Sequence, residues 1–446
     1  MKTKTYAVFF SIAVLLFFQS CQKDNDLVLA PDSVLLKSQL AKLYGDIDEL
    51  RLPQSNSFSK IPFDPKNPLT IEKVQLGKLL FHETNLALNP KLESGKNTYS
   101  CASCHHAKAG FQSGLAQGIG DGGFGFGNFG EGRIKSDDYD DAEIDVQPIR
   151  SPTILNSAYQ EVMLWNGQFG ATGPNIGTES NWTENTPKAT NNLGFEGVEI
   201  QAIAGLDVHR LEIDSTFIAN SQYRTLFDAA FGEIPKENRY TRINAGLAIA
   251  AYERSVLPNQ APFQKWLNGD MNAMSEKETS GAGLFFGKAR CYTCHTGPAL
   301  NDMKFHALGM ADLNGPNVKG EVDEATRKGR GGFTGNTEDD YAFKTPTLYN
   351  LKDVGFLGHG ASFASVREVV EYKNRGVGEN SNVPKEKLSP LFKPLNLNDN
   401  EIDQLTTFVW NALHDNNLNR YVPESLPSGN CFPNADEASK SDMGCD

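Results

Sequence analysis

Two five-residue phrases, Cys101-Ala-Ser-Cys104-His105 and Cys291-Tyr-Thr-Cys294-His295, constrain this chain more than any other feature of its sequence. Both match C-x-x-C-H. Two thiols one helical turn apart add to the two vinyl groups of a haem, and the residue that follows places an imidazole under the iron. A single match also fits a zinc or dithiol site. Two matches, with no thioredoxin-like pattern near either, point to two covalently attached c-type haems with His105 and His295 as proximal iron ligands. The 446 residues exceed one ordinary core and suffice for two haem-sized domains. A net charge of -13 gives a nucleic-acid role no electrostatic support and leaves a basic or dipolar protein partner open.

The start of the chain adds a cellular address. Lys2 and Lys4 precede an apolar run from Tyr6 to Phe18, followed by Gln19, Ser20 and Cys21. Residues 1–20 therefore read as a secretory signal peptide, too short to be a spanning helix. A cysteine after a small residue at the end of such a run resembles a bacterial lipoprotein cleavage site, so Cys21 is expected to carry a lipid anchor in the periplasm or at the outer membrane. With Cys21 lipidated and four cysteines bound to haem, Cys431 and Cys445 are left to form a disulfide in an oxidising compartment.

The expected fold is mainly α: two cytochrome c-like domains, each around one covalently bound haem, with long loops. Residues 21–60 read as a lipid-tethered segment and a helix, with Val34, Leu35, Leu40, Leu43 and Leu50 near helical spacing. The first haem domain is expected over 61–260, the second over 261–415, and a tail over 416–446. Similar phrases at 76–81 and 283–287 precede the two attachment motifs, a weak internal repeat. Apolar periodicity predicts helices over 217–231, 242–256, 366–372 and 401–413. The glycine-phenylalanine stretch 118–132 and the acidic run 137–145 read as flexible, solvated surface.

Several phrases occur together in a recognisable order: Leu76-Gly-Lys-Leu-Leu-Phe81, Cys101 to His105, Arg150-Ser-Pro-Thr-Ile-Leu-Asn156, Leu164-Trp-Asn-Gly167, Phe343-Lys-Thr-Pro-Thr-Leu-Tyr-Asn350 and Gly358-His-Gly-Ala-Ser-Phe363. In this the chain resembles the bacterial di-haem cytochrome c peroxidase family, which includes the MauG-like enzymes, over residues 65 to 415. The resemblance implies that hydrogen peroxide is reduced to water at the haem over His105. Electrons would reach it from a small donor, a c-type cytochrome or cupredoxin, through the haem over His295. It also implies that Trp165 relays electrons between the two and that Gln201 is the family's distal glutamine. The family's acid-base glutamate has no unambiguous counterpart, and His209, Glu212 and Glu199 are the candidates. A MauG-like oxidase acting on a protein side chain, and a non-catalytic electron carrier or redox sensor, are the alternative functions. Relatives are often homodimers.

The chain departs from the family pattern twice. No histidine lies between His106 and His209, so the loop histidine that caps the resting peroxidatic haem is missing and an open, high-spin first haem is expected. No methionine lies between Met310 and Met443, where the family's sixth ligand to the second haem would stand. Tyr372 is the first candidate for that role, since a tyrosine fills it in MauG-like members, and Lys373 is the second; Met303, Met310 and His306 are further alternatives. The family's calcium ion would meet Ser151, Val354 and Phe356 here, with Ser151 in place of an asparagine.

Overall fold

The computed structural model describes residues 31–445, so the expected leader and Cys21 lie outside the described residues. The chain is mainly helical, with strand confined to two short antiparallel pairs. Two apolar cores divide it. The first gathers residues from Leu76 to Val256 with Leu418 and Tyr421; the second gathers Leu36 to Ile61 with residues from Leu257 to Leu413. Both ends therefore cross over: the N-terminal helix Pro31–Tyr44 packs in the second lobe, while the tail returns to the first. No described helix is long and apolar enough to cross a membrane.

The helices begin where local chemistry starts them. Thr70 accepts from the Lys73 N–H to cap Ile71–His82, and Thr241 accepts from Asn244 to cap Arg242–Ser255. These two helices meet at a glycine, because a Cβ on Gly77 would lie 1.8 Å from the Ala248 carbonyl oxygen. The second lobe repeats the device: a Cβ on Gly281, in Glu276–Phe285, would lie 2.1 Å from the Gln404 carbonyl oxygen of Asp399–Thr407. Gly77 and Gly281 thus anchor the internal repeat, four residues upstream of Phe81 and Phe285. We expect Gly77→Ala or Gly281→Ala to cost about 1–3 kcal/mol, since rigid backbone must move to admit the methyl group. Denaturant unfolding of the purified protein measures it, and unchanged midpoints would show that the helices separate freely.

Four expectations change in three dimensions. The helix expected over 217–231 breaks at Asn220, whose side chain accepts from Gln222 and Tyr223 to start Ser221–Ala230 afresh. In the first helix only Leu40 of the expected stripe is buried, beside Leu36, while Val34, Leu35 and Leu43 face outward. Residues 117–123 are buried rather than solvated, because the Arg133 guanidinium donates to the carbonyls of Ile119, Gly120 and Gly125 and gathers the loop around itself. Asp137, Asp138, Asp140 and Asp141 are exposed as expected, but Asp145 at the end of the run is buried.

Cys431 and Cys445 form a disulfide. The loop they close lies on the first lobe: Ser100 and Ser103 hydroxyls donate to the Pro433 carbonyl, and the Asp442 carboxylate accepts from the N–H groups of Phe126 and Gly127. The first attachment motif is covered by this strap, with Ala102 and Ser103 buried, whereas Thr293 in the second motif is exposed. The two C-x-x-C-H segments therefore differ in access to solvent.

Candidate functional site

Each C-x-x-C-H phrase forms a single 3-10 turn, Cys101–Ser103 and Cys291–Thr293, which ends with the histidine turned inward. Cys101, Cys104, His105, Cys291 and His295 all lie deep in the chain yet keep accessible surface, which places them on the walls of internal cavities. Burial pushes the Cys101, Cys104 and Cys291 thiols up to about 12. That is the opposite of the lowered thiol of a dithiol redox site, and none of the four is in a disulfide.

The imidazoles suit iron. Burial pushes both His105 and His295 down to about 4, so each is neutral near pH 7, the form that binds metal. His295 Nδ1 donates to the Leu300 carbonyl at 2.9 Å, leaving Nε2 free to ligate. His105 Nδ1 has no partner of good geometry, although the carbonyls of Phe111 and Pro152 lie beside it.

The cavity over His295 is apolar and extends to the boundary between the lobes. Val366, Val369, Val370 and Lys373 of helix Val366–Arg375 form one of its walls, a stripe at i, i+3, i+4 and i+7. Tyr372, first of the two ligand candidates, is off that stripe. It is buried between Phe363 and Phe392 and its hydroxyl donates to the Leu308 carbonyl. Lys373 faces the cavity and has neither a hydrogen-bond nor a carboxylate partner among the described residues; burial lowers its amine to about 8. Met310 and His306 also line the cavity, His306 with its Nε2 3.4 Å from Asp302 Oδ2. Met303 is not part of this wall.

Arg150 and Lys344 line the same cavity and are buried basic groups without a carboxylate partner, so burial lowers Arg150 to about 10 and Lys344 to about 7. Arg150 donates to the Leu115 carbonyl and to the Gln112 side chain, Lys344 to Gln160 and the Val162 carbonyl, all neutral acceptors. Uncompensated buried charge is costly, and the acidic side groups of haem are suited to offset it. The two cations occupy matching places, Arg150-Ser-Pro-Thr and Lys344-Thr-Pro-Thr, each leading to an asparagine with positive φ, Asn156 and Asn350. The match continues into two seven-residue bridged loops, Met163 to Phe169 and Leu357 to Phe363. Trp165 and His359 are thereby structural counterparts, and their rings meet edge-to-face at 6.3 Å where the lobes join. The Trp165 indole donates to the Arg150 carbonyl at 2.8 Å and the Trp165 carbonyl accepts from Lys344 N–H at 2.7 Å.

The first lobe supplies the acid-base groups. Helix Gly197–Val208 is mostly buried, but Gln201, Gly205 and, at its C-terminal cap, His209 retain accessible surface four residues apart, so one face looks into a cavity. A Cβ on Gly205 would meet only Gln201 Nε2 at 3.7 Å and His209 Cδ2 at 3.9 Å. The Gln201 Oε1 atom is buried without a partner. His209 is near enough to His105 for their charges to act on one another, and its Nδ1 donates to Asp145 Oδ2 at 2.7 Å. Burial alone would lower the His209 imidazole, but the Asp145 carboxylate overrides it and the net shift is upward.

Two other candidates are engaged elsewhere. Glu199 is fully buried in a pair with Arg254, at 2.6 and 2.9 Å, and also accepts from Asn67, so both its oxygens are occupied in holding the lobe together. Glu212 accepts from Asn89 in a separate polar cleft with Arg210 and Arg242. Asp145 itself was hidden in the acidic run, with only its position at the end to distinguish it. Ser151 Oγ lies beside Gly118, and no calcium is assigned to Ser151, Val354 and Phe356.

A profile of the family described as di-haem cytochrome c peroxidase matches residues 71–272. The cytochrome-c peroxidase IdrP1 of Pseudomonas sp. (strain SCT) is 30% identical over 372 residues, covering 78% of this chain and 83% of that protein. The methylamine utilization protein MauG of Methylorubrum extorquens is 29% identical over 352 residues, covering 78% and 80%. Among solved structures, a MauG-like protein associated with microbial copper homeostasis has the same fold, with a TM-score of 0.56 at 23% identity over 82% of this chain and 95% of that one.

Proposed function

Since this chain belongs to the di-haem cytochrome c peroxidase family with its MauG-like members, we propose that it reduces hydrogen peroxide to water with electrons from a small redox donor, a c-type cytochrome or a cupredoxin. The observation that carries this reading is His209, an imidazole held by a carboxylate, on the same helix face as Gln201 and near enough to His105 for its charge to act there. When bound, two c-type haems supply the iron that holds peroxide and the redox centres that pass electrons to it.

The residues of this chain then have distinct tasks. With Nδ1–H donated to Asp145, the free nitrogen of His209 is Nε2, which takes a proton from one peroxide oxygen and returns it to the other so that water is the leaving group. The Gln201 amide, whose Nε2 lies toward the open space at Gly205, donates a hydrogen bond to the bound peroxide and orients it. Gly205 leaves the space between them open. Trp165 and His359 form the aromatic contact between the lobes through which electrons pass. On the second cavity wall Lys373, whose amine faces the cavity, would help His295 hold the iron, in place of Tyr372, whose hydroxyl is committed to Leu308. The Cys431–Cys445 disulfide supports an exported setting, with a lipidated Cys21 as the anchor.

Steady-state assay tests the function: the holo-protein should consume hydrogen peroxide while oxidising two equivalents of a reduced one-electron donor per peroxide. The oxidised protein should also show one high-spin haem. Absence of turnover together with two low-spin haems would assign it to electron carriage or sensing. The missing methionine beside the second haem favours a second reading, an oxidase of a protein side chain. That reading requires peroxide consumption without donor oxidation and a long-lived oxidised state.

A further inference from the structure

The acid-base reading of His209 leaves open what aims its ring, and the geometry points to Asp145: we propose that Asp145 is the positioning residue for peroxide cleavage, acting only through His209. This rests on the function proposed above and deepens it.

The carboxylate is placed with care. The Asp145 carbonyl accepts from Gly120 N–H and its own N–H donates to the Asp121 carbonyl, each at 2.9 Å, so the backbone is held on both sides. A Cβ on Gly120 would lie 2.4 Å from Asp145 Oδ2, so a glycine is required for the carboxylate to fit. The side chain is 6% exposed, and among the described residues His209 is its one hydrogen-bond partner and its one ion-pair partner. Cations nearby are taken: Arg210 pairs with Asp121 and Arg133 with Asp436. A buried carboxylate without a counter-charge is expensive, and here the charge it can stabilise is that of a protonated His209. The charged groups that act on the imidazole are Asp145 from the loop and the adjacent Arg210, and the imidazole in turn acts on nearby His105.

This arrangement does two things for the reaction. Accepting from Nδ1–H selects the tautomer with a free Nε2 and prevents the ring from turning. The negative charge also stabilises the imidazolium that exists while the proton is in transit. The proton from the inner peroxide oxygen passes through Nε2 to the outer oxygen, the O–O bond breaks, and the outer oxygen leaves as water with both original protons. The inner oxygen becomes the second water after two electrons from the redox donor and two solvent protons arrive.

The test is stopped-flow reaction of peroxide with oxidised holo-protein across pH, comparing the natural protein with Asp145→Asn, which keeps shape and removes charge. His209 must be neutral to accept the proton, so the rate falls on the acid side as the ring protonates. In Asp145→Asn the plateau rate should fall at least about tenfold, and the acid limb should move about 1–3 pH units lower, because the opposite charge that favours imidazolium is gone. Carbon monoxide binding to the reduced protein, which moves no proton, should be unchanged, showing an intact cavity. An unaltered profile, or a lower plateau with an unmoved acid limb, overturns the positioning role. Should His209→Ala react like the natural protein, the acid-base reading itself fails, and that result is separable from any outcome at Asp145.

Discussion

Replacing His209 by alanine is expected to slow the reaction of hydrogen peroxide with the oxidised holo-protein by roughly 10²–10⁴-fold, the usual contribution of one positioned proton carrier. The expectation rests on three features of the site. His209 is near enough to His105 for its charge to act there, its Nδ1 is occupied by Asp145 at 2.7 Å, and no other histidine of the first lobe is placed to substitute. His106 is buried against Phe126 with both ring nitrogens unpartnered, and His82 is enclosed by Phe81, Tyr252 and Phe432. Glu199 cannot take over without abandoning Arg254. Haem content and the spectrum of the second haem should be unaffected. If the variant instead loses a low-spin signal from the first haem, His209 is a ligand to that iron and the proton-transfer role is wrong.

The second large effect belongs to Lys373. Removing its amine in Lys373→Ala should convert the haem over His295 from six-coordinate low-spin to five-coordinate high-spin, visible in electronic and paramagnetic spectra at neutral pH. Lys373→Met should restore a low-spin centre at a higher reduction potential, because a thioether favours ferrous iron more than an amine does. Tyr372→Phe should leave the spectrum as it was, since that ring is packed between Phe363 and Phe392 and its hydroxyl bonds to Leu308. A spectrum insensitive to Lys373→Ala but altered by Tyr372→Phe would return the ligand to the tyrosine. Peroxide turnover should slow in Lys373→Ala as well, because electrons then cross a centre that must change its coordination with each cycle.

The contrast between Tyr372 and Lys373 shows how far the sequence could be followed. Both residues were legible as candidates from the missing methionine, and choosing between them required the phase of the helix. Val366, Val369 and Val370 already define that phase, and Lys373 continues it by one turn while Tyr372 does not. The same holds for the internal repeat. Arg150-Ser-Pro-Thr and Lys344-Thr-Pro-Thr were visible as phrases, yet the pairing of Trp165 with His359 emerged only when both loops proved to close with the same bridge.

By itself the sequence carried two C-x-x-C-H motifs with two histidines expected as iron ligands, the mainly helical class and the tail disulfide. Each of these depends on residues close together in the chain or on a count of cysteines, so no packing information was needed. Tertiary structure alone decided which acidic residue meets His209, which of two neighbours faces the second haem cavity, and that the glycine-rich loop is gathered under Arg133 and strapped by the tail. Those outcomes depend on contacts between segments far apart in sequence. One carboxylate in an acidic run differs from the next only by the burial that the rest of the chain imposes on it.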